Sequence, residues 1–186
     1  MLALVGVVRH VPKLNAGAVN SCRRTMLDFR LKIIAYSELA AWRDGNRGSG
    51  QLVVTNGCFD LLHLGHVTYL ETARNLGTAL LVGVNSDAAV RGLKGEGRPI
   101  NSEQDRASVL AALESVTYVC IFPDVRATDF LSRAKPDIYV KGGDYTLDTL
   151  DQNERRTVEA AGGKIHLIPF VPGKSTTSVL QKLGKD

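Results

Sequence analysis

From Gln51 onward, the chain alternates short apolar runs rich in β-branched residues with longer stretches of helical character, and a Gly, Asn, Asp or Pro residue marks each change. Such alternation predicts an α/β fold in which a doubly wound parallel sheet carries helices on both faces. The runs are largely apolar, as is typical of strands that are buried on both faces. Five strands are predicted, at residues 52–56, 79–84, 117–121, 137–141 and 164–168.

Helices are predicted between and after these strands, at residues 65–76, 87–92, 102–114, 126–134, 154–161 and 175–183. Ser102 is a suitable N-cap for the third of them. Residues 51–186 are expected to form the main domain, preceded by a short helix and a glycine-rich linker within residues 31–50. Residues 1–30 are expected to be a poorly ordered extension. The alternative is that translation begins at Met26 and that the residues before it result from a misassigned start.

The positive charge of the chain is concentrated near its beginning. The formal net charge is +4, and residues 1–32 hold six basic residues against one acidic residue. The rest of the chain is therefore close to neutral, which argues against a nucleic-acid partner. Residues 1–8 are apolar, but this segment is far shorter than the ~20 residues of a transmembrane helix. Basic residues follow it instead of preceding it, unlike a signal peptide. We expect no membrane partner.

The three cysteines, Cys22, Cys58 and Cys120, are widely separated and form no CxxC pair. This spacing favours neither a disulfide framework nor a zinc site, so no metal bound by the protein alone is expected. A reducing compartment, the cytoplasm, suits such cysteines. With 44% hydrophobic and 23% charged residues in a chain of 186, the composition is that of a globular protein with one domain.

A dense group of polar and small residues follows the first predicted strand, where a helix is expected to begin. Ligands of doubly wound sheets bind beyond the carboxyl ends of the strands, and a helix N-terminus favours phosphate. Two imidazoles at this point could donate hydrogen bonds to phosphate oxygens whose charge grows during displacement. A single histidine would more often be a surface or core residue, and metal-binding helices favour other spacings such as HExxH. The group comprises Asn56, Gly57, Phe59, Asp60, His63, Gly65 and His66.

A second pattern suited to phosphate lies at residues 173–178, where a glycine precedes several hydroxyl side chains at the predicted start of the last helix. Such residues cap helices and donate hydrogen bonds to phosphate. Taken alone, the segment could be a plain capping sequence. The first strand-to-helix turn lacks GxGxxG, which argues against a nicotinamide dehydrogenase.

The segment His63-Leu64-Gly65-His66 resembles the HxGH signature of the nucleotidyltransferase superfamily, and residues 173–178 resemble the second signature of that superfamily. Three further blocks, at residues 92–100, 105–113 and 140–145, resemble the D-glycero-β-D-manno-heptose 1-phosphate adenylyltransferases. The resemblance covers about residues 50–183. It implies a Rossmann-like nucleotidyltransferase fold.

The resemblance also implies roles for the matching residues. His63, His66, Lys94 and Arg106 would be catalytic, the histidines at the α-phosphate and the two cations on phosphate oxygens. The nucleotide would contact Asn56, Gly57, Phe59, Gly65, Gly173, Ser175, Thr176 and Thr177. The substrate would contact Asp60, Arg98, Lys141 and Asp144. For the last four residues, bracing of a loop or ion pairing is the alternative interpretation.

The implied reaction transfers AMP from ATP to a heptose 1-phosphate by in-line attack, with pyrophosphate leaving and no covalent enzyme intermediate. Mg²⁺ would enter with the ATP. The product, ADP-heptose, would serve lipopolysaccharide core synthesis, and a separate sugar kinase would supply the acceptor. The resemblance further suggests a homo-oligomer.

Residues 122–127 and 146–155 depart from the sequences of the heptose enzymes. The resemblance therefore supports the identity of the acceptor with fewer residues than it supports nucleotidyl transfer. Phe170 stands where glycerol-phosphate cytidylyltransferases carry an arginine, which favours ATP over CTP. Two alternatives stay open: a cytidylyltransferase acting on glycerol 3-phosphate or another phosphorylated alcohol, and a non-catalytic nucleotide-binding module.

Overall fold

A computed structural model describes residues 28–143 and 145–169, together with Thr176 and Gly184. Within this part of the chain, six parallel strands form one sheet in the order β1-β4-β3-β2-β5-β6. The strands are β1 (Ile33–Ile34), β2 (Leu52–Gly57), β3 (Ala79–Asn85), β4 (Tyr118–Phe122), β5 (Ile138–Gly142) and β6 (Lys164–Ile168). The chain winds outward in one direction through β3 and β4 and in the other through β5 and β6. The winding therefore reverses at β2, where such sheets bind ligands.

Six α-helices connect these strands in the described residues: α1 (Leu39–Gly45), α2 (Leu64–Arg74), α3 (Asp87–Lys94), α4 (Glu103–Ala112), α5 (Thr128–Ala134) and α6 (Gln152–Ala160). Side-chain caps define where three of them begin. Ser86, Ser102 and Asp151 accept hydrogen bonds from first-turn N–H groups of α3, α4 and α6. These bonds satisfy donors that a helix cannot pair internally.

Side chains alternate along the strands between two buried layers. One face, including Val54, Leu81 and Tyr139, packs against α1, α5 and α6. The other face, including Val53 and Val82, packs against α2 and α4. All seven residues of β3 are buried, which explains why its sequence reads as a continuous apolar run.

The five predicted strands are confirmed to within one residue at either end. The predicted helices are also present, with ends shifted by up to two residues; the last one lies outside the described residues except for Thr176, which is helical. The capping role of Ser102 is confirmed by a 3.2 Å bond from the Asp105 N–H to its hydroxyl oxygen.

The prediction of a five-stranded sheet was wrong by one strand. Strand β1 spans only two residues, too few to show any periodicity, and it pairs with β4 at the edge of the sheet. Lys32 stabilises this attachment because its ammonium donates to the carbonyl oxygens of Leu113 and Val116, at 3.1 and 2.9 Å.

No helix among the described residues has both the length and the apolar character needed to cross a bilayer.

Candidate active site

The turn between β2 and α2 carries the histidine pair. Phe59 has a φ of 46°, a left-handed conformation that is rare for a bulky residue and that occurs most often at functional sites. His63 is in extended conformation and is the residue before the helix, but its side chain makes no capping bond. The first-turn N–H groups of α2 therefore have no side-chain acceptor from this position, as in helix N-termini that bind phosphate.

The two imidazoles stack on one another, with ring centroids 3.9 Å apart and an angle of 25° between the ring planes. The ring of Phe59 lies against that of His66, at 5.4 Å between centroids. Burial, reinforced by the neighbouring His63, lowers the pKa of His66 to about 4. His66 is thus neutral at pH 7, and a neutral imidazole can still donate one N–H to a phosphate oxygen.

Asp60 lies in the same turn and is occupied by protein donors. Its carboxylate accepts hydrogen bonds from Arg98 Nε at 2.6 Å and from the backbone N–H groups of Ile100 and Asn101 at 2.8 and 3.1 Å. The carboxylate therefore binds the loop that follows α3, and Arg98 is its ion-pair partner. In this structure both residues brace a loop.

Arg106, on α4, is also occupied by protein groups. Its side chain is 0% exposed and forms an ion pair with Asp87 at 2.8 Å. It donates further bonds to the carbonyl oxygens of Cys58, Asn85 and Asn101. These four partners belong to three segments: the turn after β2, the junction between β3 and α3, and the loop before α4. Arg106 therefore holds these three segments together.

Lys94 is the last residue of α3 and is exposed. Gly95 and Gly97, which follow it, have φ values of 86° and 82°, a conformation that glycine adopts without strain. Burial raises the pKa of the Cys58 thiol, whereas the charge of Lys94 lowers it. The ammonium of Lys94 is therefore within electrostatic reach of the histidine turn.

Lys141, at the end of β5, belongs to a buried polar network. Its ammonium contacts Asn56 Oδ1 at 3.1 Å, the Tyr139 hydroxyl at 2.8 Å and Glu154 Oε2 at 3.1 Å. Glu154, on α6, also accepts a bond from the Ala127 N–H at 2.9 Å. The network links β2, β5 and α6 directly beside the histidine turn.

A cavity of about 270 Å³ adjoins this network. Arg126, Lys141 and Tyr145 line it together with acidic side chains and a leucine. Arg126 is 69% exposed and lies 3.5 Å from Asp151. An aromatic ring with charged side chains of both signs is a surface that could bind a polyhydroxylated molecule through many hydrogen bonds. The remaining lining residues are Thr149, Leu150, Asp151 and Glu154.

The carboxyl ends of β2 and β5, with the loop after α3, bring most of the predicted site residues together. Asn56, Gly57, Phe59, Asp60, His63, Gly65, His66, Lys94, Arg98, Arg106 and Lys141 all lie there. Thr176 is helical and half-buried. Asp144, Gly173, Ser175 and Thr177 lie outside the described residues, as does Phe170.

Several polar residues of this region were not singled out from the sequence, chiefly Glu154, Asn101 and Arg126. Glu154 and Arg126 fall within helical or turn patterns, where a charged side chain is ordinarily solvated. No periodicity distinguishes them, because their role depends on which elements pack together.

The carboxylates near the histidine turn are engaged with cations. Asp60 pairs with Arg98 and Asp87 pairs with Arg106. Among the residues described, no group of three or more His, Cys, Asp or Glu side chains could hold a metal ion.

Comparison with known proteins relates the chain to transferases. The family model described as cytidylyltransferase-like matches residues 54–181, which is more than half of the chain. The bifunctional protein HldE of Trichlorobacter lovleyi is 50% identical over 133 residues, covering 72% of this chain and 27% of that protein. HldE of Syntrophotalea carbinolica is 42% identical over 189 residues, covering 98% of this chain and 38% of that protein. The chain thus spans about a third of the length of these curated relatives.

Solved structures show the same architecture. A lipopolysaccharide core biosynthesis protein from Thermoplasma volcanium has a TM-score of 0.54 and 27% identity, covering 66% of this chain and 97% of that one. A pantoate-β-alanine ligase from Francisella tularensis has a TM-score of 0.54, covering 74% of this chain and 66% of that one. At 14% identity it supports the fold alone. From the matched family model and the histidine turn that opens α2, the chain belongs to the cytidylyltransferase-like family of nucleotidyltransferases.

Proposed function

We propose that the protein transfers AMP from ATP to D-glycero-β-D-manno-heptose 1-phosphate, giving ADP-heptose and pyrophosphate for lipopolysaccharide core synthesis. The stacked pair His63 and His66, at the start of a helix without a side-chain cap, is the observation that carries the transfer chemistry. Support for the acceptor comes from the sequence blocks at residues 92–100 and 140–145 and from the similarity to the HldE proteins.

In this proposal an oxygen of the acceptor phosphate attacks the α-phosphorus of ATP in line. The new phosphorus–oxygen bond forms as the bond to the β-phosphate oxygen breaks, and pyrophosphate leaves with the electron pair. His63, His66 and the N-terminus of α2 stabilise the charge that grows on the α-phosphate oxygens. Lys94 neutralises the phosphates from the loop side. The enzyme contributes position and electrostatic stabilisation, without a covalent intermediate.

The hydroxyl side chains Ser175, Thr176 and Thr177, with Gly173, are proposed to bind the triphosphate. Asn56, Gly57, Phe59 and Gly65 are proposed to line the nucleotide site. Mg²⁺ supplied with ATP would screen the phosphate charge.

We place the sugar of the acceptor in the cavity beside Lys141 because that cavity adjoins the histidine turn through Asn56. Asp144 is proposed to contact the acceptor near Lys141. We further propose that the protein is a homo-oligomer and that it works in the cytoplasm, where ATP is available. A separate sugar kinase would supply the phosphorylated acceptor.

Pyrophosphate release by the purified protein with Mg²⁺ and ATP tests this function. Heptose 1-phosphate is compared with other sugar 1-phosphates and with glycerol 3-phosphate, and ATP with CTP. We expect turnover that is selective for the heptose and for ATP. Turnover of glycerol 3-phosphate with CTP would replace the proposal by a cytidylyltransferase, which the name of the family model makes the second candidate. Nucleotide binding without turnover of any acceptor would indicate a binding module.

A further inference from the structure

Both oxygens of the buried Asp60 carboxylate are engaged by protein donors. The Asp60 side chain is 2% exposed. Oδ2 accepts from Arg98 Nε at 2.6 Å, and Oδ1 accepts from two consecutive backbone N–H groups, of Ile100 and Asn101. The carbonyl oxygen of Asp60 accepts a fourth bond, from Asn101 Nδ2 at 2.9 Å. A carboxylate with this many protein donors has little capacity left for a substrate.

These bonds connect two segments whose relative position matters for the proposed reaction, because each carries or adjoins a residue that is proposed to act on the phosphates. Asp60 is three residues before His63, and Arg98 is four residues after Lys94. Arg106 ties the same two segments a second time, because it donates to the carbonyl oxygens of Cys58 and Asn101. Asp60 therefore joins the histidine turn, which lies between β2 and α2, to the glycine-rich loop, which lies between α3 and α4 at residues 95–102. We call the bonds of Asp60 and Arg106 between these two segments the polar clasp.

Apart from these bonds of Asp60 and Arg106, the glycine-rich loop that follows α3 begins with three exposed residues, Gly95, Glu96 and Gly97. Both glycines have positive φ values, 86° and 82°. Exposed segments with few buried contacts open at low free energy. Lys94 is the residue at which α3 passes into this loop, so the clasp acts on its C-terminal side, while the body of α3 is held by its buried residues Ala89 and Val90.

We propose that Asp60 is a positioning residue for nucleotidyl transfer. It holds the glycine-rich loop against the histidine turn, so that Lys94 can contact the phosphates while His63 and His66 do. This inference rests on the proposed function and differs from the expectation that Asp60 contacts the substrate. Phosphoryl chemistry is sensitive to such positioning, since a displacement of about 1 Å can lower turnover by roughly 10²-fold.

The variant Asp60→Asn tests the clasp, because asparagine keeps the shape but presents an NH₂ group to N–H donors. Asp137→Asn is the matched control. Asp137 also accepts bonds from an arginine and a backbone N–H, those of Arg43 at 3.0 Å and Leu52 at 2.7 Å. It precedes β5, at the opposite edge of the sheet from the site.

The first readout is the rate of trypsin cleavage after Lys94, which needs no substrate. We expect Asp60→Asn to accelerate this cleavage and Asp137→Asn to leave it near the wild-type rate. Equal rates in the wild type and Asp60→Asn would overturn the clasp. Because the assay needs no acceptor, it gives this answer even if the protein turns over none of the acceptors and the proposed function fails.

The second readout is steady-state kinetics with ATP and the acceptor. We expect Asp60→Asn to lower kcat by about 10–10²-fold with little change in KM for the acceptor. In a Lys94→Ala background the same change should have a much smaller effect, because the group being positioned is gone. Asp137→Asn should keep its kcat at temperatures where it is folded. A rise in KM for the acceptor alone, or full additivity with Lys94→Ala, would instead assign Asp60 to direct substrate contact or to a role unconnected with Lys94.

Discussion

The imidazole rings of His63 and His66 stack with their centroids 3.9 Å apart, at the point where β2 has ended and α2 begins. His63 is the extended residue before α2 and His66 lies in the first turn of that helix, so the helix start brings the two rings together. The low pKa of His66 leaves that imidazole neutral at pH 7, and both rings lie beside the N-terminus of α2. In the proposed reaction, donors in this position would stabilise the charge that grows on the α-phosphate.

Replacing His66 by alanine should lower kcat by about 10²–10³-fold, the effect of removing one donor aimed at developing charge. Pyrophosphate release measures this directly. His166→Ala is the control, because His166 is an exposed histidine on β6. A kcat for His66→Ala close to wild type would remove His66 from the transition-state contacts.

Acidification should destabilise the protein through His66. Its pKa is lowered from 6.5 to about 4 by burial and by His63. Between these two values the unfolded chain binds a proton that the folded protein does not, so stability is lost as pH falls from about 6.5 towards 4. Urea unfolding at pH 7 and pH 5 should show a smaller loss for His66→Gln than for the wild type or His166→Gln. The same loss in all three proteins would contradict the assignment.

Arg106→Ala should destabilise the fold by about 3 kcal/mol, because it leaves Asp87 without its ion-pair partner and three carbonyl oxygens without a donor. Equilibrium urea unfolding provides the measurement. Arg155→Ala, which removes a partly exposed pair with Glu159, should change stability by less than about 1 kcal/mol. Similar small effects of both variants would show that Arg106 does not hold the loops together.

Arg126→Ala should raise KM for the sugar phosphate by up to about tenfold while leaving KM for ATP unchanged, since a tenfold change corresponds to one hydrogen-bonded contact of ~1.4 kcal/mol. Arg133, on the same side of the sheet, pairs with Asp129 on α5 and lines no part of the cavity. Arg133→Ala is therefore the control. A change in KM for ATP instead would move the acceptor out of this cavity.

Local sequence was sufficient to predict the main strands and the turn that carries the histidines. Both depend on periods and capping patterns within about ten residues, which backbone geometry converts directly into secondary structure. The sequence also predicted that the candidate residues after β2 and β5 would lie near one another, because parallel strands place their carboxyl ends at one edge of the sheet. The two-residue strand β1 could not be predicted from local periodicity, since it is held by pairing with β4 and by the hydrogen bonds of Lys32.

Which charged and polar groups contact each other was decided only by tertiary structure. Arg98 and Asp60 are 38 residues apart, and Lys141 and Asn56 are 85 residues apart. Such partners meet because of the order in which the strands are arranged and the faces on which the helices pack. A sequence pattern can identify a residue type that suits phosphate. Burial and competing protein partners then determine whether its side chain faces a ligand or instead holds neighbouring loops in place.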